Sequence, residues 1–232
     1  RSSQYGRARL FAENDSQYSV LNCAVTKLPL LEPADCALIL VDEQAGLAFA
    51  AGSQDPQILR SNGLAVAKTA VAFGLPVVVS TSASKVYSGP LMPAFREVLP
   101  NVTPIERRNM NLWEDDVVRD AIAATGRRTL IIAGMLTEAC VSFPVLSALS
   151  EGYQVYVVAD ACGGLTPTSH DLALRRMASA GAVMTSWLQL LLEFQRDWTR
   201  HDTYEKARSI VVEHGGGYGT GLAYARDMIK PT

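Results

Sequence analysis

Three types of side chain in this sequence have the chemistry for nucleophilic catalysis. Asp42 ends one apolar run, the arginines Arg107 and Arg108 follow a second, and Cys140 follows a third. A carboxylate desolvated on one side tends to have a raised pKa and is suited to accept a proton. A deprotonated thiol is a nucleophile, and a nearby guanidinium would reduce its repulsion by the carboxylate. The combination predicts a nucleophilic cysteine site.

Each residue also has an ordinary structural explanation. Asp42 could cap the helix that follows it, Cys140 could be an inert buried thiol, and surface arginines are usually solvated. If a helix begins between Thr137 and Ala139, its free amides and dipole would point at Cys140 and lower the thiol pKa. The hypothesis therefore depends on these residues meeting at one point of the fold.

Six short runs rich in β-branched residues predict the strands that would position them. Nearly continuous apolar runs of this length are typical of strands buried on both faces. Amphipathic stretches between the runs predict helices, and glycines at the helix–strand junctions support the boundaries. The predicted strands are 36–44, 75–82, 102–107, 129–136, 153–160 and 182–187, and the predicted helices are 57–73, 114–124, 139–150, 169–180 and 188–198.

This alternation predicts a mostly parallel sheet covered by helices on both sides. Ligands bind such sheets beyond the carboxyl ends of the strands, where the strand order reverses. Asp42, the arginine pair and Cys140 follow the first, third and fourth strands and therefore flank the expected reversal. The domain is predicted to span 28–198, between a polar extension at 1–27 and a flexible C-terminal arm at 199–232. The glycine-rich HGGGYGTG in that arm lacks the preceding strand of a phosphate loop.

The composition and charge of the chain argue against several classes of binding partner. The 232 residues carry a formal net charge of -2 without a basic block, which argues against nucleic acid. The apolar runs are shorter than the roughly 18 residues of a membrane span. Four separated cysteines, with no CxxC pair, argue against a zinc site and favour a reducing cytoplasm. We therefore expect a cytoplasmic protein without a nucleic-acid or membrane partner, and we expect neither a metal nor a cofactor.

Several segments resemble the isochorismatase-like cysteine hydrolases, and within them the YcaC-type branch. The similarity covers roughly 28–198 and is most specific in AGMLTEACV; it also includes VDEQAGL, NMNLWED and RRMASAGAVMTSW. The resemblance implies a three-layer α/β/α sandwich around a six-stranded, mainly parallel sheet. It also implies a homo-oligomer that acts on a small-molecule substrate.

The resemblance assigns catalytic roles as well. It implies an Asp-Lys-Cys triad in which Asp42 matches the aspartate and Cys140 the nucleophile. It further implies a cis peptide bond between Leu136 and Thr137, and an oxyanion hole formed by the amides of Ala139 and Cys140.

The third triad position departs from the family pattern. A lysine is expected shortly before Trp113, yet Arg107 and Arg108 stand there, and Arg107 is the preferred match. Arginine keeps its charge but is a poor proton donor or acceptor. Pocket positions are expected for Arg108, Trp113, Glu138 and Phe143, although plain packing is the alternative for the last three.

The leading hypothesis is a metal-independent cysteine hydrolase that cleaves a small amide or other C–N bond through a cysteine thioester. Nicotinamidase members of the family hold a zinc-like ion through histidines soon after the aspartate-bearing strand, whereas the matching GSQDPQILRSNG has none. One alternative is an isochorismatase-type vinyl ether hydrolase in which Asp42 supplies the acid. Another is a catalytically impaired oligomeric binding protein.

Overall fold

The six predicted apolar runs all form strands in the structure, a computed structural model that describes residues 30–229. The strands β1 and β4 are buried along their whole length, because helices cover both faces of the sheet. The strands are β1 (Cys36–Val41), β2 (Val77–Ser82), β3 (Ile105–Arg107), β4 (Thr129–Met135), β5 (Gln154–Gly163) and β6 (Val183–Thr185).

The predicted helices also form, with shifts of a few residues at their ends, and two further short helices occur before β3. Helix α2 is typical, since the Asp55 carboxylate caps its first amides and Pro56 occupies its first turn. The helices are α1 (Ala45–Ala50), α2 (Pro56–Ala72), α3 (Pro93–Val98), α4 (Asp116–Ala124), α5 (Ser142–Ser150), α6 (Pro167–Ser179), α7 (Trp187–Gln195), α8 (His201–His214) and α9 (Gly216–Met228).

Helices form a layer on each face of the sheet. Successive residues of a strand point to opposite faces, so Leu38 and Leu40 of β1 pack toward α2, α3, α7 and α8. Ile39 and Val41 pack toward α4, α5 and α6 on the other face. The predicted three-layer α/β/α sandwich is therefore confirmed.

The strand order places a reversal in the middle of the sheet. All pairings are parallel in the order β3-β2-β1-β4-β5-β6, so the chain builds outward from β1 to β3 and then returns to β4. Gly134 lets β4 lie against β1, because a Cβ there would sit 1.9 Å from the carbonyl oxygen of Val41. The carboxyl ends of β1 and β4 thus meet at the switch point where α/β proteins bind ligands.

The segment expected to be a flexible C-terminal arm forms the helices α8 and α9 instead. Ala207, Ile210 and Val211 recur at helical spacing and are buried against the core, so α8 is part of the packed structure. The extension predicted at 1–27 lies outside the described residues, and the domain limits remain predictions. Between residues 30 and 229, no helix has both the length and the apolar character needed to cross a bilayer.

Candidate active site

A buried ion pair joins the ends of β1 and β3. Arg107 donates from Nη1 to Oδ1 of Asp42 at 2.5 Å and from Nη2 to Oδ2 at 2.6 Å, and neither side chain is exposed. Ser80 of β2 fixes both residues: its hydroxyl accepts from Arg107 at 3.0 Å, and its carbonyl accepts from the Asp42 amide at 2.9 Å. This two-point fork orients the carboxylate rigidly.

The charge on this pair is maintained despite burial. Burial opposes the charge of Arg107, but the hydrogen bonds and the field of Asp42 raise its pKa. An arginine in such a pair stays protonated throughout the accessible pH range. The guanidinium therefore acts as a fixed counter-charge.

The nucleophile candidate lies on a π-helical turn, Thr137–Val141, between β4 and α5. Cys140 is buried, with 9% of its surface exposed. A cis peptide bond precedes this turn, and it joins Met135 to Leu136. The expected Leu136–Thr137 position was wrong by one bond, because β4 ends at Met135 and the chain changes direction there.

Backbone hydrogen bonds define the turn. The carbonyl oxygen of Leu136 accepts from the amides of Ala139 at 3.2 Å and Val141 at 3.1 Å. The Ala139 amide is thus engaged within the turn, which argues against its expected role in an oxyanion hole. The Leu136 amide faces the sulfur of Cys140 and lowers the thiol pKa.

The net pKa of the Cys140 thiol is nevertheless raised to about 11. Burial is the main cause, and the charge of Asp42 adds to it, while Arg107 and the Leu136 amide oppose the shift. The start of the helix was expected to lower the pKa of this thiol. That prediction was wrong, because the net shift is upward. At neutral pH the thiol is therefore protonated, and it lies beside the Asp42 carboxylate.

A cavity of about 550 Å³ opens above these residues. Cys140 and Arg107 line its floor, and the loops that follow β2 and β3 form its walls. Arg108 is exposed in the wall, so the structure brings Arg107 rather than Arg108 against Asp42. The other wall residues are Ser82, Ala83, Lys85, Val86, Glu106, Asn109 and Met110.

Three residues expected in the pocket lie outside this lining. Trp113 packs in the core, and its indole donates to Glu151 at 2.7 Å. Glu138 points away and accepts from the Leu165 amide at 2.9 Å. Phe143 is half-buried on the first turn of α5. The packing alternative therefore fits Trp113, Glu138 is held by the segment before α6, and Phe143 lies outside the lining.

Two residues of the site had not been singled out from the sequence. Ser80 is a polar residue inside the buried run VVVSTS, and that contrast is a signal that would have found it. His170 shares a hydrogen bond of 2.8 Å between its Nδ1 and the hydroxyl of Thr137, 33 residues earlier. No local pattern marks that contact.

Comparison with known proteins identifies the family. The model of the Isochorismatase domain matches residues 36–189, which is most of the chain and contains the three residues at the switch point. The chain belongs to the isochorismatase-like hydrolases. The family membership predicted from segments such as AGMLTEACV is thereby confirmed.

Relatives place the chain near the YcaC branch of this family. The probable hydrolase YcaC from Escherichia coli is 39% identical over 72% of this chain and 81% of its own length. YcaC from Pseudomonas aeruginosa, solved with hexane-2,5-diol and covalent acrylamide, is 38% identical with a TM-score of 0.80, over 83% of this chain and 95% of its own.

The crystal structure of the Escherichia coli YcaC gene product superimposes equally well. It has a TM-score of 0.82 at 36% identity, covers 86% of this chain and 97% of its own, and is described as an octameric hydrolase of unknown specificity. Like its family, the chain is therefore a hydrolase, and its substrate is a separate question. Among residues 30–229, no cluster of three histidine, cysteine or acidic side chains could hold a metal ion.

Proposed function

We propose that this isochorismatase-like hydrolase cleaves a small amide or a related C–N bond by a metal-independent mechanism with a thioester at Cys140. The proposal rests on one observation. Cys140, Asp42 and Arg107 come together beneath a single cavity, at the point where the strand order reverses. A thiol, a base and a fixed counter-charge are the groups that nucleophilic acyl transfer requires.

In the first step, Asp42 takes the thiol proton while the sulfur of Cys140 attacks the substrate carbonyl carbon. The raised thiol pKa favours coupling of these two events, because a free thiolate beside Asp42 would be unstable. The carbonyl oxygen becomes an oxyanion, for which we propose the Cys140 amide as a donor. The Ala139 amide is not proposed as a donor, because it already donates a hydrogen bond to the Leu136 carbonyl within the turn.

Arg107 contributes charge and position rather than proton transfer. Its guanidinium holds both oxygens of Asp42 and also balances the negative charge that appears on the sulfur. Because arginine does not release its proton, Asp42 alone must carry the proton to the leaving nitrogen. Collapse of the tetrahedral intermediate then gives the amine and a Cys140 thioester.

Water completes the reaction. Asp42, now free of its proton, accepts one from a water molecule that attacks the thioester carbonyl. The C–S bond breaks, the carboxylic product leaves, and the proton on Asp42 returns to the sulfur. One water is consumed per C–N bond, and no oxidant or reductant is needed.

Mass spectrometry on a panel of small amides tests this mechanism. We expect an acyl adduct on the Cys140 peptide of the wild-type protein, and loss of both adduct and turnover by more than a thousandfold in Cys140→Ser. Cys162→Ala, at another buried thiol outside the cavity, should retain both. Full turnover by Cys140→Ser would rule the mechanism out.

The same variants separate the rival functions. A vinyl ether hydrolase would lose activity in Asp42→Asn and tolerate Cys140→Ser. A binding protein without catalysis would show Cys140 reacting with iodoacetamide no faster than a free thiol of equal pKa. Acrylamide is a suitable second probe, because the relative from Pseudomonas aeruginosa was solved with covalent acrylamide.

We also propose that the chain assembles into a homo-oligomer and acts in the cytoplasm on a small molecule. The octameric state of the Escherichia coli relative supports the assembly. Separated cysteines support a reducing compartment.

A further inference from the structure

The walls of the cavity carry an uneven distribution of charge. Lys85 projects from the loop after β2, and Arg108 from the loop after β3. Both are exposed, and neither forms an ion pair with any residue between 30 and 229. Two positive charges thus face the cavity from separate loops, and neither is held in an ion pair within the described chain.

The negative charges near the cavity are already engaged. Asp42 is paired with Arg107. Glu106 accepts from the Thr81 hydroxyl and from the Ser84 amide, each at 2.9 Å. Burial opposes ionisation of Glu106, but these hydrogen bonds lower its pKa, so it is a fixed anion with both oxygens occupied.

Summed over the lining, the free charge is positive. The Arg107–Asp42 pair cancels, and Glu106 offsets one of the two cations. The rest of the wall includes the apolar Ala83, Val86 and Met110. Such a cavity attracts a small molecule that has an anionic group and an apolar part.

We infer that the substrate carries a carboxylate or similar anionic group in addition to the bond that Cys140 attacks, and that Lys85 and Arg108 are the residues that select it. The assignment rests on the proposed function in treating this cavity as the substrate site. Lys85 and Arg108 act on the anionic group through their charge and take no part in the bond changes at Cys140. Their removal is therefore expected to weaken binding of anions and leave the chemistry at Cys140 in place.

Alkylation of Cys140 by a matched pair of reagents measures this selection. Iodoacetate carries a carboxylate and iodoacetamide is neutral, so the ratio of their rate constants, divided by the same ratio for N-acetylcysteine, reports the preference for an anion. A change in the Cys140 pKa affects both reagents equally and cancels. We expect a normalised ratio above one by roughly three- to tenfold at low salt, declining toward one as salt is added.

Substitutions assign the effect to the two cations. The double variant Lys85→Gln/Arg108→Gln should bring the normalised ratio to about one while the iodoacetamide rate changes less than twofold. Lys206→Gln, on α8 and outside the cavity, should keep the wild-type ratio. A wild-type ratio of one, or a ratio that survives the double substitution, overturns the inference.

An equilibrium measurement keeps this inference separate from the proposed mechanism. In Cys140→Ala the cavity retains both cations, so calorimetry with succinamate and with the neutral succinamide should show tighter binding of succinamate, lost on adding the double substitution. If Cys140 resists both alkylating reagents, the mechanism fails, whereas the calorimetry still decides the anion preference. Equal binding of the two compounds overturns the inference.

Discussion

Asp42 and Glu43 are adjacent carboxylates with opposite surroundings. Asp42 is held by Arg107 on the side of the cavity, whereas the Glu43 side chain lies on the other face of the sheet against Gly63 and Phe95. Glu43 is fully buried, and within the described part of the chain neither of its carboxyl oxygens has a hydrogen-bond partner. Neighbouring residues of one chemical type therefore have different charges.

The environment of Glu43 keeps its proton in place. Burial, with a smaller contribution from the charge of Asp42, raises the pKa of Glu43 to about 8. A neutral acid at this position costs less than a second buried anion beside Asp42. The single negative charge at the switch point is thus confined to Asp42, where Arg107 balances it.

Glu43→Gln should change how stability depends on pH. The ordinary pKa of 4.5 applies in the unfolded chain and about 8 in the folded one, so the wild-type free energy of unfolding falls as pH rises between these values and levels off above them. The slope from this group reaches about 1.4 kcal/mol per pH unit. Glutamine does not ionise, so the variant should lose this contribution to the pH dependence of the unfolding free energy. Urea unfolding of both proteins from pH 5 to 9 measures the difference.

Glu97→Gln provides the matched control for this measurement, because Glu97 is exposed on α3. Its unfolding curve should follow the wild type at every pH. Parallel pH profiles for the wild type and Glu43→Gln would show that Glu43 ionises in the folded protein as it does in the unfolded one.

The π turn that carries Cys140 is held by the start of α6. Glu138 accepts from the Leu165 amide and from the Ser169 hydroxyl at 3.0 Å, and Thr137 shares a hydrogen bond with His170. These contacts join two consecutive residues of the turn to one segment of the chain. The start of α6 therefore supports the turn that carries the candidate nucleophile.

Strands and this turn differ in how far local sequence predicts them. β1 and β4 were predictable because a strand buried on both faces requires a continuous apolar run. Helices α1 and α3 have six residues each, too few for a helical period to appear. The π turn depends on Glu138 reaching residues 27 and 31 positions away, and such contacts leave no mark in a short window.

The candidate site likewise combines features that the local sequence predicts with features that it does not. The positions of Asp42 and Cys140 follow from strand ends, and that of Arg107 follows from its match to the family lysine. Burial decides the thiol pKa, however, and the helix start alone suggested the opposite shift. A pKa depends on the sum of surrounding charges and solvent, which sequence position does not supply.

Removal of the His170 contact should slow the chemistry of Cys140 more than it affects folding. We expect His170→Ala to reduce the rate of iodoacetamide labelling about tenfold, because a small displacement of a nucleophile has a large kinetic effect. His170→Asn can still hydrogen-bond Thr137 and should restore most of the rate. Labelling rates across pH 6 to 10, beside thermal unfolding, are the required measurements.

The exposed Thr168 lies on the same turn of α6, so Thr168→Ala is the matched control and should label as the wild type does. Equal labelling profiles for His170→Ala and the wild type would mean that His170 does not position the nucleophile. A fall in rate that simply follows lost thermal stability, with no rescue by asparagine, would point to a structural role only.

Helix α8 joins the C-terminal part of the chain to α2. His214, at the end of α8, contacts the hydroxyl of Ser61 through Nδ1 at 2.9 Å and Lys68 through Nε2 at 3.1 Å. A lysine ammonium only donates, so Nε2 accepts and Nδ1 carries the proton. The attachment therefore requires neutral His214.

The charges around His214 favour that neutral form. Burial lowers its pKa, and the cations Lys68 and Arg60 lower it further, while Glu213 opposes them. Trp187 of α7 covers the ring edge-on at 6.5 Å between centroids. Protonation would place a second cation 3.1 Å from the Lys68 ammonium, which is already paired with Glu213.

Acid should consequently loosen α8 and α9 before the rest of the fold. The folded pKa of His214 is depressed below 6.5, so its contribution to stability is complete above that pH and is lost as pH falls through the folded value. We expect proteolytic release of the segment after Trp198 to be about two- to fivefold faster at pH 5.5 than at pH 7.5.

His214→Gln should abolish this acid dependence, whereas His201→Gln, exposed at the start of α8, should retain it. Equal acid sensitivity in the His214 variant and the wild type would assign the effect to another group.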